Sequence, residues 1–240
     1  MKDIRYLGKC LLIENAKKKI LVVGDLHLGY EESLNNAGVF VSREMFNELI
    51  LEMNEIFDNC ENVDEVVLLG DVKHDFGKIT KQEWNTVLKL FDYLLRKCKK
   101  IAVIRGNHDK IIAPIASKRE NVFVEDFYID EEIAFLHGDK DFEEIHDGKI
   151  KYWIIGHGHP AVKIREVKGV KIEKYKCFLA GGHKGKEIII VPSFFSGSEG
   201  SDPRENGLKL AWKFNLEKFK VKIVGNDLSV LDFGELGKLR

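Results

Sequence analysis

The sequence predicts an α/β fold, and three observations predict it. Short apolar runs rich in β-branched residues recur at Ile20–Val23, Val66–Leu69, Ile101–Ile104, Ile133–Leu136 and Tyr152–Ile155, as expected of strands covered on both faces. Helical periodicity fills the gaps between the first three runs, and strand–helix–strand–helix–strand is the signature of a parallel sheet. After Pro160 the texture changes to strand candidates separated by turn signals, with no good amphipathic helix between them. That change points to a second, largely antiparallel sheet packed on the first.

Ile20–Val23 opens the parallel part. From Arg43 to Phe57 the residues Met45, Phe46, Leu49, Ile50, Met53, Ile56 and Phe57 recur at helical spacing, with Ser42 placed to cap the helix. After Val66–Leu69, a second stripe runs from Lys81 to Cys98 through Trp84, Val87, Leu88, Phe91, Leu94 and Leu95; Thr80 and Glu83 form a capping box in front of it. Ile101–Ile104, Ile133–Leu136 and Tyr152–Ile155 follow. Beyond Pro160, Val162–Val167, Lys186–Val191, Leu208–Phe214 and Phe219–Val224 read as strands. The tail from Leu228 to Arg240 offers Leu228, Val230, Leu231 and Phe233 either to an edge strand or to a partner's surface. With no repeat, linker or low-complexity tract in view, a single domain is expected over residues 1–240.

A composition of 44% hydrophobic and 32% charged residues supplies ample material for a core. The formal net charge of -1 excludes a global basic field of the kind that draws nucleic acid, although a local basic groove stays open. Cys10, Cys60, Cys98 and Cys177 are too far apart for a zinc ribbon, and a disulfide framework does not suit a chain of this size. They read as reduced thiols. The first residues lack the apolar stretch of a signal peptide, and no run approaches a membrane-spanning length, so a cytoplasmic protein without membrane attachment is expected.

Five short motifs stand directly behind apolar runs: Gly24-Asp25-Leu26-His27, Gly70-Asp71, Gly106-Asn107-His108-Asp109, His137-Gly138-Asp139 and Gly156-His157-Gly158-His159. The carboxyl ends of strands in an open α/β sheet face one crevice, so residues distant in the chain can meet there. Each motif alone has a plainer reading. Asp25-x-His27 is a common surface turn, although residues two apart at a strand end share a side. Gly70-Asp71 is a turn as often as a ligand, but a carboxylate has two oxygens and can bridge two cations. Asn107 offers a neutral oxygen where added negative charge would repel an anion, against the alternative of an Asn-Gly-type turn. His137 alone could be scaffolding. His157 and His159, flanked by glycines and followed by Pro160, are costly to bury without a partner. Together the five motifs imply divalent-metal binding, and two metals suit hydrolysis of phosphate esters.

This pattern resembles the calcineurin-like metallophosphoesterase superfamily, whose blocks run Asp-x-His, Gly-Asp, Gly-Asn-His-Asp/Glu, His and Gly-His-x-His; all five stand complete between Gly24 and His159. The resemblance implies a four-layer α/β/β/α sandwich of two mixed sheets flanked by helices. It assigns Asp25, His27 and His159 to one metal and Asn107, His137 and His157 to the other, with Asp71 bridging and His108 facing substrate. Asp25 to Glu32, Ala37-Gly38-Val39-Phe40 and Gly70 to His74 further resemble the Icc-like or DNA-ligase-associated phosphoesterase branch, which implies DNA-processing proteins as partners. Lys73 and His74 replace the acidic or amide residue that many members carry after Gly-Asp; they are expected either to contact substrate phosphate or to lie in a solvated loop. Arg105 is open to the same two readings. Asp109 and Asp139 are placed to support His108 and a ligand histidine.

The expected function is hydrolysis of a phosphodiester, on nucleotides or nucleic-acid ends, by hydroxide made available through two divalent ions, with His108 stabilising or protonating the leaving group. Mixed nitrogen and oxygen donors suit Mn foremost, then Fe, Ni, Co or Zn. The alternatives are a phosphomonoesterase of small molecules and an interaction scaffold with an idle metal site.

Overall fold

The computed structural model describes residues 3–77, 79–165 and 172–239. A hairpin opens the chain, β1 (Asp3–Leu7) and β2 (Cys10–Glu14), and β3 (Lys19–Val23) pairs with it antiparallel. Helices α1 (Tyr30–Asn36) and α2 (Met45–Asp58) lead to β4 (Glu65–Leu68), and α3 (Lys81–Leu95) leads to β5 (Lys100–Ile104). A short turn of helix, α4 (Ala113–Ala116), precedes β6 (Val122–Glu125). These strands form one sheet in chain order, β1 to β6, with β3 to β6 parallel.

The second sheet takes β7 (Phe127–Asp130), β8 (Ile133–Leu136), β9 (Tyr152–Ile155), β10 (Ala161–Arg165), β11 (Ile172–His183), β12 (Lys186–Ile190), β13 (Lys220–Val224) and β14 (Val230–Glu235). Its order is β14-β13-β11-β12-β9-β8-β7, with β10 paired to β11. The β8–β9 and β9–β12 pairs are parallel and the rest are antiparallel, so the sheet is mixed. A single helical turn, α5 (Pro203–Asn206), lies between β12 and β13.

Alternation explains the continuous apolar runs. In β3 to β5, Leu21, Val23, Val66, Leu68, Ile101 and Val103 face α2 and α3, while Ile20, Val22, Val67, Ala102 and Ile104 face the second sheet. There they meet Ile133, Phe135, Ile154, Phe178 and Ile189 in a core sealed between the sheets. The outer face of the second sheet buries Trp153, Ile155, Leu179 and Ile190 under Ile145, Leu208 and the 210–216 segment. The chain over this face includes two 3-10 turns and extended segments. Among the described residues, no helix is long and apolar enough to cross a membrane. All four cysteines are free and buried.

The sandwich of two mixed sheets is the predicted one, with local corrections. Thr80 caps α3 as expected, accepting from the Glu83 backbone N–H at 3.0 Å. Glu83 does not complete the box; its Oε1 instead accepts from the backbone N–H groups of His74 and Asp75. Ser42 does not cap α2, which begins at Met45, whose N–H is taken by Glu31 Oε1 at 2.8 Å. Residues 208–214 form no strand: the alternation of Leu208, Leu210, Trp212 and Phe214 is that of an extended segment laid on the second sheet, tied by Ala211 N–H to the Gly138 carbonyl. β10 ends at Arg165, and residues 166 and 167 of that expected strand lie outside the described residues.

Candidate metal centre

The five motifs converge at the carboxyl ends of β3, β4, β5, β8 and β9, where the parallel strands of both sheets finish on one edge. Potential ligand atoms of Asp25, His27 and His159 lie within 4.8 Å of one another, as do those of Asp71, His137 and His157. Asp71 stands between the groups: Oδ2 is 3.9 Å from His27 Nε2, and Oδ1 is 3.5 Å from His137 Nε2. Asn107 Oδ1 is 3.1 Å from His137 Nε2. His108 presents Nε2 at 3.8 Å from Asp71 Oδ2.

Backbone geometry aims these side chains. His27, Asp71, His157 and His159 all have φ between 43° and 59°, a left-handed conformation that costs non-glycine residues of order 1 kcal/mol or more and clusters at functional sites. Gly70 has φ 95°, and a Cβ there would come 2.5 Å from His137 Nδ1. At Gly106 a Cβ would meet Asp71 Oδ1 at 2.2 Å and the Asp71 backbone nitrogen at 2.4 Å. Gly106→Ala is therefore expected to displace Asp71 and lower stability by about 1–3 kcal/mol, the cost of overpacking, read in urea unfolding.

A web of hydrogen bonds fixes the loops. The Asp71 carbonyl accepts from the Leu26 and His27 N–H groups, and Asp71 Oδ1 accepts from the His108 N–H at 2.9 Å. Asp25 accepts the His157 N–H on both oxygens and lies 3.2 Å from His159 Nε2. Asp109 does not reach the His108 ring, as the sequence suggested; buried, it accepts from the N–H groups of Val72, Lys73 and Gly106 and so laces the β4 and β5 loops together. The His108 ring is held instead through Nδ1 to the His74 carbonyl.

Burial opposes ionisation of Asp25, but His159, His137 and His27 outweigh it and hold the carboxyl well below the usual range. Burial pushes Asp71 up to about 7, with Asp25 adding to the effect against His137. The His27 imidazole is driven down to about 3 and that of His157 to about 4, chiefly by burial. His137 goes the other way: burial is outweighed by Asp25 and Asp71, and Asp139 adds in the same direction.

These donors fit divalent cations. His137 Nδ1 donates to the Leu69 carbonyl at 2.8 Å, which turns Nε2 toward the Asn107 and Asp71 oxygens. Nε2 thus faces two oxygens across a short gap, where a divalent cation can take the place that a proton otherwise holds. Buried His27 Nδ1 has no hydrogen-bond partner among the described residues. Imidazole nitrogens and carboxylate and amide oxygens at this density are the chemistry of a divalent-metal site.

The expected phosphate contacts separate. His74 joins the centre, its ring 5.4 Å from that of His27, and its ligand atom groups with those of His27 and His108. Lys73 is placed otherwise: it is fully buried and its ammonium donates to the Asp75 carbonyl. Arg105 pairs with Asp126 at the surface.

Sequence reasoning missed the turn after β12. Ser193 Oγ donates to the Asp25 carbonyl at 3.1 Å, the Phe195 N–H bonds the same oxygen, and the Phe195 ring packs edge-on against His27 at 5.4 Å. Two half-buried amines hold this turn by three successive carbonyls: Lys176 Nζ donates to Ser193 and Phe195, and Lys9 Nζ to Phe194 at 3.0 Å. Burial, helped by Lys9, pushes Lys176 down to about 7, and even a neutral amine keeps two N–H donors for its two carbonyls. The strand-end rule applied to β12 would have found Ser193; neither lysine carries a sequence signal. Lys176→Met should strip two buried carbonyls of their donor and cost about 2 kcal/mol by denaturant unfolding, with weaker retention of metal at the Asp25 side.

A family model described as calcineurin-like phosphoesterase matches residues 18–225. No curated protein matches the chain significantly. Among solved structures, the Pseudomonas putida nuclease MPE is similar over 97% of this chain and 100% of its own, at 16% identity and a TM-score of 0.59. The phosphoesterase Yfce of E. coli (90% and 98% covered, 16% identity, TM-score 0.42) and zinc-complexed Vps29 of Entamoeba histolytica (90% and 99%, 12%, 0.39) also match. At these identities the likeness to MPE speaks for the fold.

Proposed function

Since the chain belongs to the calcineurin-like phosphoesterase family, of metal-dependent phosphoester hydrolases, we propose that it hydrolyses phosphodiesters of nucleotides or nucleic-acid ends at a centre of two divalent ions. The observation that carries this reading is the pair of ligand groups, Asp25–His27–His159 and Asp71–His137–His157, with the Asp71 carboxylate lying between them. Asn107 completes the second group. The mixture of imidazole, carboxylate and amide donors favours Mn, with Fe, Ni, Co or Zn as substitutes. Because the ligands come from both sheets, the chain works as one domain.

When bound, two such ions polarise the phosphoryl oxygens and make a nucleophile of water near neutral pH. The chain's own residues then position and neutralise. Asp71 holds the two ligand groups in register, and Asn107 supplies an oxygen without adding charge against the phosphate. The bond from His108 Nδ1 to the His74 carbonyl fixes the ring and leaves Nε2 toward the substrate; protonated there, it donates to the leaving oxygen. His74, beside it, is a further phosphate contact. Lys73 and Arg105 have no part in this scheme.

The test is hydrolysis of bis-p-nitrophenyl phosphate against p-nitrophenyl phosphate by protein stripped of metal and reloaded with Mn. Turnover of the diester that depends on the metal, with the monoester slower, is the expected result. Preference for the monoester would replace the reading by a phosphomonoesterase.

A further inference from the structure

A cavity of about 690 Å³ opens beside the metal centre, bounded by α1, the first turns of α2 and α3, and the 194–196 turn. His27 lines it, so it is continuous with the centre. The rings of Tyr30 and Phe195 stand at the junction, edge-on to each other at 4.9 Å, with Tyr30 also 4.9 Å from His74. The volume far exceeds what a phosphate group needs and falls within the range of small-molecule sites.

The walls say what kind of group belongs there. Aromatic faces come from Tyr30, Phe46 and Phe195, and side-chain amides from Asn47, Gln82 and Asn85. An amide presents donors and an acceptor on one plane, the complement of a base edge, and an aromatic face is where an unstacked base packs. Charge argues against a string of phosphates. The carboxylates of Glu31, Glu32, Glu48 and Glu52 stand among the cations Arg43, Lys81 and Lys89, with Arg43 paired to Glu32 at 2.9 Å and Glu52 to Lys9 at 2.6 Å, so the walls carry no excess of positive charge. A groove for a polyanion needs such an excess.

We infer that this cavity is a nucleoside-binding subsite. It takes the base and sugar on one side of a single phosphate held at the centre, which narrows the substrate to diesters carrying a nucleoside and disfavours polyphosphates. The inference rests on the phosphodiesterase reading above, and its test separates the two. Affinities of thymidine and adenosine monophosphates and of methyl phosphate, which carries the same charge without the nucleoside, are to be measured by calorimetry on the Mn-loaded protein. At least one nucleotide is expected to bind about tenfold or more tightly than methyl phosphate. Asn85→Trp, at an exposed helical position on the cavity wall, should bring that ratio close to one, and Gln82→Trp serves as a second filling variant. Thermal melting checks that both variants fold. Equal affinities for nucleotides and methyl phosphate in the wild type, or a ratio that survives both fillings, overturns the subsite. Hydrolysis of bis-p-nitrophenyl phosphate by the wild type decides the parent reading independently.

Discussion

Asp71→Asn is expected to cost more metal affinity than any other single substitution in this protein. The carboxylate is buried between the two ligand groups, with one oxygen toward His27 and the other toward His137. Asparagine keeps one oxygen, turns an NH₂ toward the other group and removes a full negative charge. Loss of a mere outer partner of a metal ligand costs roughly 10–100-fold in affinity, so loss of the shared ligand should exceed that. Two measurements check it. Metal analysis after dialysis should find two ions per chain in the wild type and fewer in the variant. Thermal melting should show a Tm rise on adding Mn to the wild type, as a ligand that binds only the folded state must give, and little or none in the variant. Without metal the order should invert. The wild-type protein then buries a carboxylate close to Asp25 and Asp109, and the variant does not, so the metal-free variant should melt higher. A variant with full metal content and full activity would remove Asp71 from its bridging place.

His108→Ala should separate chemistry from metal binding. Its Nε2 stands 3.8 Å from Asp71 Oδ2, and its ring is fixed by the His74 carbonyl. Removing a proton donor to the leaving group lowers kcat by about 10²–10⁴. Metal content should stay at the wild-type value, and KM should change much less than kcat. A diester with a good leaving group, such as a p-nitrophenyl ester, needs less protonation and should suffer less than an alkyl ester. Equal losses on both would argue that His108 acts by stabilising charge on the phosphoryl group instead. Unchanged kcat would deny it a part in the reaction.

The central strands and the convergence of the motifs were legible because both follow from local chemistry. A run such as Val66–Leu69 can be read only as a segment covered on two sides, and a polar motif behind it falls at the strand's end. What stayed hidden depended on partners distant in the chain. The hairpin of β1 and β2 begins with Asp3-Ile4-Arg5, a pattern that gains meaning only when Leu11 and Ile13 meet Phe178 in the core between the sheets. β11 crosses Gly181 and Gly182, poor strand formers that Phe219 and the neighbouring ladders tolerate. α1 buries no residue fully, so no apolar stripe announced it. The misreading of 208–214 has the converse cause: alternation proves that one face is buried, not that the backbone has a ladder partner. In the site itself, Ser193 lay within reach of the strand-end rule, but the two lysines behind it were invisible because a lysine that donates to main-chain carbonyls carries no signature in sequence.

The seven proposed ligands are divided between the sheets. Asp25, His27, Asp71 and Asn107 follow strands of the first, and His137, His157 and His159 follow strands of the second. The centre is thus a rivet driven through the seam of the sandwich, at the end of a core that has no covalent tie across it. A rivet reports slippage. If one sheet slides on the other by a fraction of an ångström, through a cavity at Phe178 or Ile154 far from any ligand, the two halves of each ligand group move out of reach together. Interior packing and metal affinity are in this way one property of the fold, and changes in the seam would surface first as an enzyme that releases its ions while still folded.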